Sequence, residues 1–134
     1  MKTQRIDLNA PVTVKKVASV VLWTADLPKT VRFYEALGLE LAREEEGDGK
    51  VHYTLEIGGV HMRLLKADEP GYTAMRNQSG ATQLGLRVDS LDSALARVMA
   101  IGANIVGEPE PTAWGKRALV EDPDGRPIEI GEEG

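Results

Sequence analysis

The chain of 134 residues contains no cysteine. This excludes disulfides, thiolate metal sites and a cysteine nucleophile, and it fits a reducing compartment. Long hydrophobic runs are also absent. The longest apolar run, residues 17–23, is too short to span a bilayer, and the N-terminus lacks the apolar core of a signal peptide. A formal net charge of −5 argues against sequence-independent binding to nucleic acid. We therefore expect a cytoplasmic protein that binds neither nucleic acid nor membranes.

An internal repeat organises the rest of the sequence. Residues 25–41 align with residues 89–105 at an offset of 64, and residues 49–64 align with residues 115–130 at an offset of 66. Two similar offsets along both halves predict a duplicated module. One half of about 50 residues would bury too little apolar surface by itself. The two halves are therefore expected to share a sheet or a dimer interface.

Hydrophobic periodicity and turn residues predict the order βαβββ twice, in the α+β class. Helices are expected at 27–37 and 91–101, each ending at a glycine. Valine-rich and alternating stretches predict strands at 17–23, 39–45, 50–57, 60–66, 81–88, 103–107, 115–121 and 126–130. The predicted organisation is an N-terminal arm (1–16), a first module (17–66), a linker (67–80) and a second module (81–131). The DPDG segment, residues 122–125, is interpreted as a turn with no chemistry of its own.

Three motifs carry a resemblance to a known family. They are DLxxxxxFYxxLGL (26–39), LxVDxLDxALARxxxxGA (86–103) and WGxRALVEDPDGxxIEI (114–130). With these motifs the chain resembles the vicinal oxygen chelate superfamily, which includes glyoxalase I, bleomycin-resistance proteins, methylmalonyl-CoA epimerase and extradiol dioxygenases. The resemblance implies the glyoxalase/bleomycin-resistance fold, in which the tandem modules form a curled mixed sheet around a cup. It also implies pairing of subunits into a homodimer.

The resemblance further implies four cup-facing positions that carry metal ligands in the metal-using members. Here they fall on Ser19, Arg63, Gln83 and Glu129, where those members have His or Gln, Glu, His and Glu. Only Glu129 is a strong ligand, Gln83 is a weak one, and a guanidinium offers no lone pair. At roughly 5 Å and an effective dielectric of 20, Arg63 would repel a dication by about 6–7 kcal/mol. We therefore expect no metal cofactor.

The alternative is a divalent transition metal held by Gln83, Glu129 and His61. Because His61 precedes Arg63 by two residues, the two side chains share a face of a regular strand. His52 lies on a different predicted strand, and its face is not fixed by the sequence. The more ordinary interpretation of each histidine is a hydrogen-bonding or titrating group.

Strand alternation predicts which side chains line the cup. Val21 and Trp23 share the face of Ser19, Leu65 lies beside Arg63, and Gly85 and Arg87 lie beside Gln83. Met62, Leu64, Ile128 and Ile130 then face the helices. We expect Trp23 and Trp114, the two tryptophans, to stack on a planar ligand. Alternatively, Trp23 plugs the sheet and Trp114 covers a dimer seam.

Arg63 and Glu129 occupy equivalent positions in the two modules, and two roles are open for them. They form a structural ion pair between the modules, or Arg63 serves as a fixed cation for a carboxylate or enolate of a ligand. The candidate ligand-binding residues are therefore Ser19, Trp23, Arg63, Gln83, Arg87, Trp114 and Glu129.

Three functions are compatible with these residues. The first is a metal-free binding protein of the bleomycin-resistance type for an aromatic or anionic small molecule. The second is a metal-dependent lyase, isomerase or dioxygenase of the glyoxalase type. The third is a metal-free enzyme in which Glu129 or His61 acts as acid or base.

Overall fold

Each half of the chain folds into a four-stranded sheet that carries one helix. The computed structural model describes residues 7–67, 83–113 and 115–133. The first module comprises β1 (Ser19–Thr24), α1 (Leu27–Ala36), β2 (Ala42–Glu45), β3 (Val51–Ile57) and β4 (Val60–Lys66). The second comprises β5 (Leu84–Val88), α2 (Leu91–Ala100), β6 (Ile105–Thr112), β7 (Gly115–Glu121) and β8 (Pro127–Glu132). The predicted α+β fold of two tandem βαβββ modules is confirmed.

The two sheets have the same topology. Their strand orders are β1-β4-β3-β2 and β5-β8-β7-β6. β1 pairs with β4 and β5 pairs with β8 in parallel, while the other neighbours are antiparallel. Both sheets are therefore mixed, and β1 and β5 are edge strands.

Capping residues set the ends of both helices. Asp26 accepts a hydrogen bond from the backbone N–H of Lys29 at 3.1 Å, as an N-cap side chain does. Ser90 does the same for α2. The chain leaves each helix through a glycine in the left-handed region, with φ of 100° at Gly38 and 85° at Gly102. Other L-residues would be strained there, so the repeat of these glycines reflects the repeat of the helix end.

The core lies between the helices and one face of each sheet. The predicted core residues Met62, Leu64, Ile128 and Ile130 are 2%, 0%, 0% and 0% exposed. Phe33 and Tyr34 of α1 pack edge to face, with ring centroids 4.9 Å apart. Neither helix in the described ranges has the length or apolar character to cross a membrane.

Strand β6 is longer than predicted. It extends to Thr112, whereas the sequence predicts its end at residue 107. Pro109 and Pro111 argue against a strand, but β6 is an edge strand, and its pairing with β7 shifts register twice. Prolines are tolerated at an edge and at bulges because no ladder hydrogen bond is required there.

The DPDG turn joins the modules, which the sequence interpretation missed. Asp122 and Asp124 are 3% and 5% exposed. The Tyr34 hydroxyl donates to Asp122 at 2.8 Å, and the backbone N–H of Ala25 donates to Asp124 at 3.0 Å. The Arg126 guanidinium also forms an ion pair with Asp122. We call these contacts of the turn with α1 and the end of β1 the seam clamp.

The seam clamp changes the ionisation of its members. Burial, followed by the nearby charge of Asp122, raises the pKa of Tyr34 well above 10.0. Burial acts to lower the pKa of Arg126, but Asp122 and Tyr34 raise it, and the net direction is upward. At neutral pH the phenol is therefore a neutral donor and the guanidinium is charged.

We predict that Tyr34→Phe lowers the free energy of unfolding by about 1.5–3 kcal/mol, because it removes a hydrogen bond to a buried carboxylate. Tyr53→Phe removes a hydroxyl from a partly buried ring without a described hydrogen bond and should have little effect. Urea denaturation of both variants at neutral pH measures this difference. Equal losses would contradict the clamp.

The difference in unfolding free energy between wild type and Tyr34→Phe should depend on pH in the alkaline range. The Tyr34 pKa is raised by folding, so its contribution is complete below the unfolded pKa of about 10. Above that pH the unfolded tyrosine ionises first, and the contribution is lost as the pH rises. The stability gap between wild type and Tyr34→Phe should therefore narrow above about pH 10 in urea titrations at several pH values. A constant gap would contradict the raised pKa.

Candidate functional site

The face of the first sheet opposite α1 collects the polar side chains of three strands. In the β1–β4 ladder Ser19 lies opposite His61, Val21 opposite Arg63 and Trp23 opposite Leu65. Residues opposite one another in a ladder share a face. The predicted alternation along β1 and β4 is therefore present in the structure.

A cavity of about 470 Å³ lies on this face near the end of β1. We call it the first-module cup. The residues that matter most to its chemistry are Trp23, Glu46, Lys50, Arg63, Leu65 and Lys66. Three of them are cations and one is a carboxylate. Trp23, which is 38% exposed, and Leu65 supply apolar wall.

Arg63 is half-buried in the wall of the first-module cup. Within the described ranges it has no ion-pair or hydrogen-bond partner. A guanidinium has five N–H donors, and leaving them unpaired in a partly dry site costs free energy. The arrangement favours an external acceptor, such as a carboxylate or sulfonate group of a ligand.

His52 completes the wall of the first-module cup beside Arg63. It lies opposite Leu65 in the β3–β4 ladder and is 8% exposed. Its Nε2 is 3.1 Å from a carboxylate oxygen of Glu44, and its Nδ1 is 3.6 Å from one of Glu46. The ring is therefore held by neighbouring carboxylates, whereas Arg63 is not.

The equivalent face of the second sheet has different chemistry. The Arg117 guanidinium lies 2.7 Å from the Glu129 carboxylate and 3.3 Å from that of Glu110. The hydrogen bonds to Glu129 and then Glu110 raise the pKa of Arg117. Thus Glu129 pairs with Arg117, and no ion pair joins it to Arg63 in the part of the chain described.

The other predicted residues are separated from the first-module cup. Gln83 lies just before β5, and Arg87 on β5 lies opposite Gly131 of β8. Ser19 and His61 lie opposite one another on the same face of the first sheet, at the end away from Trp23. There His61 Nδ1 is 2.7 Å from a Glu56 oxygen. Trp114 lies outside the described residues. One chain therefore brings together Trp23 and Arg63, but not the whole predicted set.

The fold agrees with a family comparison. A model of the Glyoxalase/Bleomycin resistance protein/Dioxygenase superfamily matches residues 16–130. The chain belongs to this superfamily. The superfamily's tandem modules correspond to the two four-stranded sheets described above.

The chain is similar in sequence to proteins that are named as enzymes. It is 28% identical over 127 residues to "Probable lactoylglutathione lyase, chloroplastic" of Arabidopsis thaliana, covering 90% of this chain but only 36% of the plant protein. It is 28% identical to a lactoylglutathione lyase of Haemophilus influenzae, covering 86% of this chain and 90% of that protein. The chain thus spans about a third of the plant relative and most of the bacterial one.

A solved structure is also similar to this chain. The crystal structure of TnmS3, an antibiotic binding protein from Streptomyces sp. CB03234, is 25% identical. The match covers 92% of this chain and 100% of that one, with a TM-score of 0.64. The shared architecture therefore occurs in a protein described as antibiotic binding, and the sequence is similar to relatives named as lyases.

The side chains at the positions that the resemblance assigns to metal ligands do not fit a metal in this chain. Arg63 places a cation at one position, and the Glu129 carboxylate at another is paired with Arg117. No group of three or more potential His, Cys, Asp or Glu ligands is arranged for a metal among the described residues. The alternative ligand His61 is on the other sheet from Glu129 and pairs with Glu56.

Sequence reasoning missed His52 as a cup residue, although a signal for it was present. The Gly58-Gly59 turn is a two-residue hairpin loop, so Ile57 must pair with Val60 and the numbers of paired residues sum to 117. That sum places His52 opposite Leu65. Lys50, Lys66 and Glu46 gave no comparable signal, because they enter the cup from a turn or a strand end.

We predict that the two histidines differ in reactivity. His52 is buried with both nitrogens near carboxylates, whereas the His61 side chain is 40% exposed and only its Nδ1 has a described partner. Diethylpyrocarbonate should modify His61 several-fold faster than His52, as measured by mass spectrometry of peptides. His61→Gln should remove the fast phase. Equal rates would contradict the placement of His52.

Proposed function

We propose that this chain is a small-molecule binding protein that holds a planar organic anion in the first-module cup without a metal cofactor. The observation that carries the proposal is the half-buried Arg63, which has no partner among the described residues and lies in the same cavity as Trp23. Arg63 receives the anionic group of the ligand, and the indole of Trp23 receives its ring.

The charges around Arg63 support an anionic ligand. Lys50 and Lys66 line the same cavity, and Glu46 is the carboxylate that offsets them. Like charges close together in a partly buried site attract an anion more strongly than each would in water. Hydrophobic walls with a few placed polar groups are also typical of small-molecule sites.

The comparisons support two functional classes to different degrees. TnmS3 is described as an antibiotic binding protein, which agrees with binding as the function. The lactoylglutathione lyase names favour a metal-dependent lyase as the second candidate. That candidate requires carboxylate and imidazole ligands, and the guanidinium of Arg63 and the Arg117–Glu129 pair weigh against it.

The proposal predicts that the chain prefers an anion over a neutral molecule of the same shape. Naphthalene-2-sulfonate and naphthalene-2-sulfonamide share a ring system but differ in charge. Isothermal titration calorimetry should show tighter binding of the sulfonate, with an affinity that falls as ionic strength rises. Equal affinity for the two compounds would contradict an anion site.

Arg63→Met should weaken sulfonate binding about 10- to 100-fold, because a hydrogen bond to a charged group contributes about 1.5–3 kcal/mol. Affinity for the sulfonamide should change little. Arg43→Met is the matched control. Arg63 lies opposite Thr54 and Arg43 lies opposite the adjacent residue Tyr53, so the two arginines are on opposite faces of the same sheet. The same loss in both variants would assign the effect to net charge rather than to the first-module cup.

A further inference from the structure

Strand β1, which carries Trp23, has one edge paired with β4 and one outer edge. The backbone N–H groups of His61 and Ala67 donate to the carbonyls of Ala18 and Thr24 at 2.9 and 2.8 Å. In a parallel ladder alternate residues of one strand bond to the same neighbour. The carbonyl of Trp23 therefore points away from β4, towards the outer edge of the sheet.

Arg126 of the second module occupies that edge. Its guanidinium donates to the Trp23 carbonyl at 2.7 Å. This bond ties the backbone of β1 at Trp23 to the second module. Because the Trp23 side chain lines the first-module cup, a shift of this backbone would move the indole in the cup.

The guanidinium is itself fixed. Its other terminal nitrogen donates to Asp122, whose side chain is 0% exposed, while the Arg126 side chain is 11% exposed. Asp122 also accepts from the Tyr34 hydroxyl and from the backbone N–H groups of Asp124 and Arg126. The Arg126 guanidinium is therefore held in place by the buried Asp122 carboxylate, which is itself fixed by other hydrogen-bond donors.

We infer that Arg126 is a positioning residue for the ligand site, through which the DPDG turn of the second module sets the orientation of Trp23 in the first. The inference rests on the proposed function, because the affected site is the first-module cup. It adds a requirement that the cup alone does not have: the cup binds planar ligands well only while the Arg126 guanidinium is bonded to the Trp23 carbonyl.

Trp23 provides a direct readout of its own position. Trp114→Phe leaves Trp23 as the single tryptophan, so emission and acrylamide quenching report on one ring. In that background Arg126→Met should shift the Trp23 emission and increase its quenching. It should also weaken naphthalene-2-sulfonate binding roughly three- to tenfold, as expected when one side chain must be ordered on binding.

Two further variants separate positioning from charge and from stability. Arg126→Lys keeps the charge, but a single ammonium cannot make both contacts in the same fork geometry, so its Trp23 emission should resemble that of Arg126→Met. Tyr34→Phe removes one donor to Asp122 but keeps the Arg126–Asp122 ion pair and the Arg126 bond to the Trp23 carbonyl. It should lower the melting temperature while leaving Trp23 emission and sulfonate affinity near those of the parent protein.

The outcomes distinguish this inference from the proposed function. If Arg126→Met and Arg126→Lys leave both emission and affinity unchanged, Arg126 is not a positioning residue. If Tyr34→Phe changes emission and affinity as much as they do, Arg126 acts only through general stability, and the inference is also overturned. If the parent protein does not bind the sulfonate, the proposed function fails, and the emission data alone decide whether Arg126 positions Trp23.

Discussion

The buried carboxylate of Asp122 is the interaction on which the arrangement of the two modules depends. It accepts hydrogen bonds from the Tyr34 hydroxyl, from Arg126 and from two backbone N–H groups of its own turn. A buried anion is costly unless such donors compensate it. Because one donor comes from α1 of the first module, the charge is fully compensated only when the modules are docked. The clamp thus favours one relative placement of the two sheets.

The first-module cup differs in charge from the equivalent face of the second sheet. In the second sheet, Arg117 is neutralised by Glu129 and Glu110. In the first, Arg63 lacks such a neighbour among the described residues. A guanidinium stays charged at any physiological pH and orients an anion, but it does not acidify a bound water as a metal ion does. The arrangement therefore suits holding a ligand better than activating water.

Much of this fold follows from local sequence signals. The helix ends at Gly38 and Gly102 and the buried positions such as Leu64 and Ile128 were predicted because caps and strand alternation are local properties. Trp23 and Arg63 were predicted to share a face for the same reason. Their common cavity is present, although Trp114 lies outside the described residues.

The features that the sequence did not predict depend on contacts between residues that are far apart in the chain or on different strands. Burial of Asp122 depends on a tyrosine 88 positions earlier in the chain, and no local pattern distinguishes it from an exposed turn aspartate. The partner of Glu129 depends on the pairing of β7 with β8: the repeat left open whether Glu129 pairs with Arg63, and the structure pairs it with Arg117. Charge pairing is thus less predictable from a duplicated sequence than the fold is.

We propose that protein cations, and not a metal ion, supply the positive charge of the first-module cup. The most direct test is elemental analysis of protein purified without chelators, combined with sulfonate binding before and after treatment with EDTA. We expect substoichiometric transition metal and an unchanged affinity for the sulfonate after EDTA. One metal ion per chain, with binding that is lost on chelation and restored by the metal, would contradict it.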